Sequence, residues 1–514
     1  MTKVEDKTAV PGRRQFLQTS GIAAGAALST MAAPLTARAG SCDAVPQSWD
    51  QTTDVLIVGT GFAGLTAAIE ARLAGAEVLV IDKMPVHGGN SIINGGDFCA
   101  AGTPMQKEAG IADSPELMYQ DMLKAGAYLN HPELARTVAF ESAKTLEWAQ
   151  QFAGVQFSRV GYHGGHSVKR AHQTINASGS ELVNKFMKKA KELGVKVETR
   201  TKLTRVITAP DGRVVGLEVR KGYRFPDEST GTKTFIKARR AVVLAAGGFS
   251  RNVQLRQLYE PRLTDRFEST NHPGATGEAI IEACKVNAMN VQMDWIQLGP
   301  WTSPDEKGFG NVPLFCERLV GYAPMINPKT GKRFFKETGN RKERADAIIA
   351  LGDPVLIFGD HATVTRQVFP AVLEKALESG AIRKFNSLDE IAAAYSIPLA
   401  PFKEEVARFN GFVEKKKDSD FDCIIFPEAT PTVTGPFYVA RLWPKVHHTM
   451  GGLAIDKNAQ VTSLDLKPIP GLFAAGEVTG AVHGAVRLGG VAVADCCVFG
   501  RIAGRSAAAE KAWS

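Results

Sequence analysis

Cysteine is sparse in this chain and follows no pattern. The seven residues, Cys42, Cys99, Cys284, Cys316, Cys423, Cys496 and Cys497, are odd in number and irregularly spaced, which excludes a disulfide framework. No C-x-x-C-H run occurs, so the chain carries no c-type haem motif of its own, and no cysteine set with iron–sulfur spacing is present. Cys496-Cys497 reads as a pair of small core residues. Charge of one sign is also modest. The net charge is +8, and residues 1–39 hold five basic side chains against two acidic ones, which leaves roughly +5 elsewhere, enough to attract small anions. No basic run is interleaved with aromatics, which argues against nucleic acid as a partner. The apolar stretch GIAAGAALSTMAAPL is too short and too rich in Ala and Gly for a membrane span, so no stable membrane insertion is expected.

Glycine is plentiful, at 50 of 514 residues, and much of it is clustered, a sign of backbone brought close to a ligand. With 44% hydrophobic and 22% charged residues, the chain has the makings of two or more globular domains around a large core. Residues 1–39 read instead as an address. Arg13-Arg14-x-Phe16-Leu17 resembles a twin-arginine export signal, and Ala37-x-Ala39 before Gly40 fits a small-residue cleavage site. The expectation is a periplasmic protein, exported folded with its cofactor already loaded.

Residues 54–83, DVLIVGTGFAGLTAAIEARLAGAEVLVIDK, read as strand, glycine turn, helix and second strand. In Gly59-x-Gly61-x-x-Gly64 the first glycine makes the turn and the second admits a pyrophosphate to the helix N-terminus. The third lets helix and strand pack closely, and Asp82 follows where a carboxylate takes a ribose hydroxyl. A nicotinamide enzyme needs only this station. Three more follow: HGGNSIINGGDFCAAG (87–102), AVVLAAGGFSRN (241–252) and GLFAAGEVTGAVHGAVRLGGVAVADCCVFGRIAG (471–504). Stations spread over the whole chain suit a longer cofactor, FAD.

Together they resemble the flavoprotein subunits of the fumarate reductase and succinate dehydrogenase family, and within it the soluble periplasmic flavocytochrome-c-type fumarate, urocanate and methacrylate reductases. The resemblance covers about residues 50–510. It rests on GTGFAGLTAAIEA, HGGNS, GGHSVKR (164–170), NHPGATGEA (271–279), GKRFFKETGNR (331–341), HHTMGG (447–452) and GEVTG with VHGAVRLGG (476–490). It implies an α/β fold: a Rossmann-like FAD-binding domain of glutathione-reductase type at 40–296 and 426–514, interrupted by a mobile α+β clamp, or capping, domain at 297–425. It places non-covalent FAD against Gly59, Gly61, Phe62, Ala63, Gly64, Asp82, Lys83, Gly89, Asn90, Ser91, Gly95, Gly96, Ala246, Gly247, Gly277, His448, Glu477, Arg487, Ala492 and Val493. A monovalent cation, Na+, is implied beside the flavin, held mostly by main-chain oxygens at Thr449, Met450, Gly451, Glu477 and Thr479.

The pair His447-His448 gains a meaning from the same resemblance. It gives His447 a substrate carboxylate and His448 the flavin, and makes Arg487 the other half of the carboxylate site. The chemistry agrees, since a guanidinium matches a planar carboxylate and an imidazole N–H adds direction. The resemblance makes Arg341 the proton donor: hydride from flavin N5 goes to the β-carbon of an activated C=C, and the α-carbon takes its proton from Arg341. Arginine, with a pKa above ~12, acts as an acid only if it is desolvated and recharged at once. Glu317 stands where the family has the glutamate that recharges it. Arg333 and Lys332 read as solvated.

The pattern also departs from the family. The histidine that grips the second carboxylate of fumarate falls in Gly299-Pro300-Trp301, and a threonine touching the same carboxylate falls at Cys316. The second relay arginine falls at Val320, with Arg318 nearby as a stand-in. Gly299, Trp301 and Cys316 are thus the expected distal contacts, with Phe315 and Tyr322 close in sequence. A buried carboxylate without partners is costly, so fumarate should bind poorly. The reading is reduction of a 2-enoate monocarboxylate of acrylate, methacrylate or cinnamate type in anaerobic respiration, with electrons from a separate periplasmic c-type cytochrome. Urocanate, with Glu317 or Arg318 facing its ring, and fumarate remain open. So do a ketosteroid-type dehydrogenase, whose tyrosines would polarise a ketone, and a plain flavin electron carrier.

Overall fold

The structure, a computed structural model, describes residues 45–513. The arginine pair, the Ala37-x-Ala39 site and Cys42 lie outside the described residues. The architecture is α/β. The strand Gln51–Val58 ends in a continuous buried run, as a central parallel strand must. It pairs in parallel with Val78–Ile81 on one side and Thr232–Leu244 on the other. Pro468–Ala474 and Lys196–Glu198 extend the sheet in parallel, and Gln460–Thr462 closes one edge antiparallel. Register decides where the ligand goes. Val58 lies opposite both Ile81 and Leu244, and Leu244 lies opposite Ala474. Gly59, Asp82, Ala245 and Ala475 therefore leave the sheet side by side at its carboxyl edge, the place where open α/β sheets take their ligands.

A second, smaller sheet is wholly antiparallel, in the order Met325–Ile326, Val355–Asp360, Phe437–Leu442, Ile382–Phe385. Its strands alternate between two apolar clusters: Val355 and Ile357 enter one, Leu356 and Phe358 the other. Helices such as Arg341–Leu351 and Leu399–Lys415 supply the covering layers. The strand Phe437–Leu442 lies inside this sheet although it follows the expected boundary at 425.

Arg333 is not solvated. Its guanidinium is fully buried and pairs with Glu337 at 2.6 Å and Asp418 at 2.7 Å. Phe409, Phe412 and Phe421 surround it. The basic run around it suggested an exposed face, but Asp418 comes from 85 residues away. Among the described residues, Glu337, Asp418 and Cys423 are also the only acidic or thiol trio close enough to share a metal, and the Arg333 guanidinium already occupies that position. Lys332 is exposed, as read. No helix among the described residues is long and apolar enough to cross a membrane.

Candidate active site

The first glycine station forms the turn its spacing implied. Gly59 has φ +110°, and a Cβ there would fall 2.2 Å from the Ala245 carbonyl oxygen; a Cβ on Gly64 would fall 1.9 Å from that of Gly59. Gly61 caps the helix Phe62–Leu73. Asp82 is already engaged locally, accepting from the Thr60 N–H at 3.0 Å and hydroxyl at 2.5 Å, and from the Met84 N–H at 2.9 Å.

Two cavities open at the sheet edge. Both are lined by Phe62, Asn90, Ser91, Glu477 and Cys496, so they form one long groove. The first part holds Gly59, Gly61, Ala63, Asp82, Lys83, Gly89, Ala246 and Gly247. The second holds Gly95, His448, Arg487, Ala492 and Val493. Three of the expected cofactor contacts, Gly64, Gly96 and Gly277, line neither cavity. Gly64 packs helix on turn, Gly96 is enclosed by Thr174 and Ser178, and Gly277 caps a helix against Phe249. A long groove, a helix N-terminus and glycines whose Cβ positions are blocked by backbone fit FAD.

His447 and His448 both line the second cavity. Adjacent residues of a regular strand would face opposite sides. The strand Lys445–Thr449 pairs antiparallel with Ile296–Gly299, Gln297 opposite His448 and Leu298 opposite Val446, so His447 is the extra residue of a β-bulge. The bulge re-aims its side chain. Thr270, absent from the sequence reading, lies 2.7 Å from His447 Nδ1. Burial, with Arg487 and Arg341 nearby, holds the ring well below its ordinary pKa, so His447 is neutral. If the Thr270 hydroxyl donates to Nδ1, the proton sits on Nε2, where it can serve a carboxylate. Thr270→Val should lower kcat/KM for the carboxylate substrate by roughly 3- to 10-fold, one net hydrogen bond, with FAD content unchanged in the visible spectrum.

Arg341 is the first residue of its helix. Asn340 caps that helix, and Glu343 completes a capping box, each side chain meeting the other's backbone N–H at 3.1 Å. Glu343 is thus used locally, and Arg341 turns inward, 5% exposed, its Cζ 5.0 Å from the Trp301 ring centroid. Trp301 also meets His447 edge-on at 4.6 Å, and Phe309, unforeseen, stands beside both. Burial pushes Arg341 down to about 10 against the pull of Glu317, and burial plus Arg341 holds Arg487 well below the usual arginine range. Among the described residues neither has an acidic partner within ion-pair distance. Arg341 Nε and Nη1 and Arg487 Nε are buried without hydrogen bonds. Two unneutralised guanidiniums beside a neutral imidazole form a site for an anion.

The helix Val312–Leu319 explains which distal residues reach this cavity. Pro313, Leu314, Glu317 and Arg318 line it, while Val312, Phe315, Cys316 and Leu319 enter the apolar cluster behind. Cys316 lies on the i, i+3, i+4, i+7 face with Val312, Phe315 and Leu319, the side turned from the cavity. Cys316 is therefore in the core, as are Phe315, Val320 and Tyr322. Gly299 lies in its strand opposite Lys445, beneath the Trp301 ring. Of the expected distal contacts only Trp301 lines the cavity.

Behind Glu317 the structure assembles residues the sequence reading missed. Glu317 accepts from Arg344 Nη2 at 2.5 Å and meets His163 Nδ1 at 2.9 Å. Burial raises its carboxyl, but these partners outweigh burial and hold it well below the carboxylate range. Arg318 pairs with Asp97 and not with Glu317. Around the implied cation position, Glu477 accepts the Thr449 N–H at 3.1 Å, Thr479 donates to the Gly476 carbonyl at 2.8 Å, and Met450 and Gly451 link Thr449 to the strand Gly452–Leu453. Burial raises the Glu477 carboxyl.

A dinucleotide groove ending in a small buried anion site defines a flavin-dependent redox protein. Residues 54–493 match the FAD binding domain family. The acrylate reductase flavoprotein subunit of Shewanella woodyi is 40% identical over 500 residues, 96% of this chain and 98% of its own. The urocanate reductase of Eggerthella lenta is 35% identical over 481 residues, 91% of this chain and 77% of its own. The open conformation of a flavocytochrome c3 fumarate reductase has the same fold, with a TM-score of 0.70 and 34% identity over 90% of this chain and 79% of that one. The chain belongs to the FAD binding domain family, in the company of these flavoprotein reductases.

Proposed function

We propose that the protein is an FAD-dependent reductase of the C=C bond of a short 2-enoate, acrylate being the type substrate. The observation that carries this reading is the pair Arg341 and Arg487, buried without acidic partners beside His447. Bound and reduced, FAD supplies the hydride. Arg487 and the His447 N–H hold the substrate carboxylate and stabilise the charge that develops on it, while Arg341 gives the proton to the α-carbon and Trp301 and Phe309 exclude water. The residues expected to differ from fumarate's second grip stay apolar: Cys316 and Val320 are core, and Trp301 covers Gly299. Glu317 is taken by Arg344 and His163, so it is not free to meet the ring of urocanate. The relative named an acrylate reductase subunit supports the same choice. A ketosteroid site would place tyrosine on the cavity wall, and no tyrosine lines this one among the described residues.

In this proposal FAD is non-covalent, Na+ sits at Thr449–Gly451, Glu477 and Thr479, and the unit built on the second sheet, its inner strand Phe437–Leu442 included, moves as a clamp. The twin arginines support periplasmic export and a respiratory role, with a separate c-type cytochrome as donor. The test is direct. The purified holoenzyme, reduced with viologen, is offered acrylate, methacrylate, cinnamate, urocanate and fumarate. Acrylate or its near homologues should reoxidise it with kcat/KM at least roughly 100-fold above fumarate, the cost of a second carboxylate left without partners. Preference for fumarate or urocanate, or no reoxidation by any of them, would refute the reading.

A further inference from the structure

Beside the cavity lies a buried polar chain that substrate binding does not require. Arg318 Nη2 donates to both oxygens of Asp97, at 2.8 and 3.0 Å. Asp97 Oδ2 lies 3.1 Å from His163 Nε2, and His163 Nδ1 lies 2.9 Å from Glu317 Oε2. Glu317 in turn holds Arg344. All five residues are buried. They come from distant segments: Asp97 from the strand Asp97–Cys99, His163 from the loop after Phe157–Gly161, Glu317 and Arg318 from one helix, Arg344 from another.

Charge balance does not call for the imidazole. Arg318 neutralises Asp97, and Arg344 neutralises Glu317. Yet His163 presents one ring nitrogen to each carboxylate. Ionised carboxylates only accept hydrogen bonds, and a neutral imidazole has a single N–H. For both contacts to be hydrogen bonds, the trio must hold one proton more than a neutral ring between two carboxylates. Glu317 also lines the cavity that Arg341 enters. Gly489 keeps the two sides close: a Cβ on it would fall 2.6 Å from His163 Cβ and 3.0 Å from Arg341 Nη2. Val320, where the family resemblance puts a second relay arginine, is packed among apolar side chains.

We propose that His163, oriented by Asp97, is the proton store that recharges Arg341 through Glu317. The proposal rests on the enoate reductase reading above. As the α-carbon gains its C–H bond, one Arg341 N–H bond breaks. The Nδ1–H bond of His163 breaks as a Glu317 O–H forms, and that O–H breaks as the Arg341 N–H re-forms. After product leaves, a solvent proton, carried as hydronium into the open cavity, passes to Glu317 and so to Nδ1, leaving neutral water behind. One proton enters per product, and no electron moves along the chain. Asp97 keeps the Nε2–H and thereby the ring orientation, and Arg318 anchors Asp97. His163 acts through Glu317 and is a positioning and proton-holding residue.

The test uses the FAD-loaded full chain, reduced and mixed with acrylate in a stopped-flow instrument. His163→Gln should reoxidise about 100-fold more slowly, the scale of a lost proton-transfer partner. Its FAD spectrum and its affinity for propionate should match the wild type, so that kcat falls and binding does not. Added imidazole should restore part of the rate. Asp97→Asn, which keeps the ring but loses its carboxylate, should slow the step about 10-fold. A wild-type rate in His163→Gln would overturn the proposal. So would a loss that comes with lost FAD or propionate binding and that imidazole does not relieve. If His163→Gln fails to fold, a normal rate in Asp97→Asn overturns it. Failure of the wild type to turn over with any enoate sinks the reductase reading itself, whereas an active wild type beside an unimpaired His163→Gln sinks the store alone.

Discussion

Replacing Arg341 by glutamine is expected to lower kcat for enoate reduction by roughly 10³-fold while leaving FAD bound, because a positioned general acid contributes on that scale. The neutral amide occupies much of the same space at the first position of the capped helix. It keeps hydrogen-bonding groups but has no proton to give at neutral pH. Arg341→Lys should not rescue the activity. An ammonium on a shorter, flexible stem loses the planar contact with Trp301 and the reach of the guanidinium. Reduction of the bound flavin by viologen should stay normal in both variants, and only its reoxidation by substrate should fail. A plain electron carrier would show no such split.

The second large effect has opposite signs in two assays. Arg487→Met should lower kcat/KM by roughly 10²- to 10³-fold, since the substrate carboxylate loses its charged partner in a dry site. The same change should stabilise the substrate-free holoenzyme by roughly 1–2 kcal/mol, because it removes a buried cation that has no acidic partner and that Arg341 repels. The sign follows from the depressed pKa. The folded state disfavours the charged form of Arg487, so at neutral pH that charge costs stability. Thermal melts at saturating FAD check this. The wild type should gain Tm on adding propionate, and Arg487→Met should start higher and gain little. Lower stability together with lower activity would mean that Arg487 is structural.

What could be read from the chain alone was what repeats a local rule. The run from Asp54 to Asp82 carries its strand, turn, helix and second strand contiguously, and Gly59 and Gly64 are needed for backbone clearances that spacing already implies. Arg341, His447 and Arg487 lie in compact motifs, and the fold brings them to one cavity. Cys316 was misplaced although the means to place it were present, for Val312, Phe315, Cys316 and Leu319 share the apolar i, i+3, i+4, i+7 face of their helix while Glu317 falls outside it. Thr270, His163, Asp97 and Arg344 have no local signature. Each matters through a partner 27 to 177 positions away. The bulge at His447 is a register fact and exists only once two strands pair. Arg333 misled for the same reason, its second carboxylate arriving from Asp418.

The most direct measurement is a crystal structure of the oxidised holoenzyme soaked with acrylate, or with propionate to prevent turnover. The carboxylate should be clasped by Arg487 and His447, with a guanidinium nitrogen of Arg341 within about 3.5 Å of the α-carbon on the side away from the flavin. A carboxylate seated elsewhere, or Arg341 turned away from the bound acid, would contradict the proposed function.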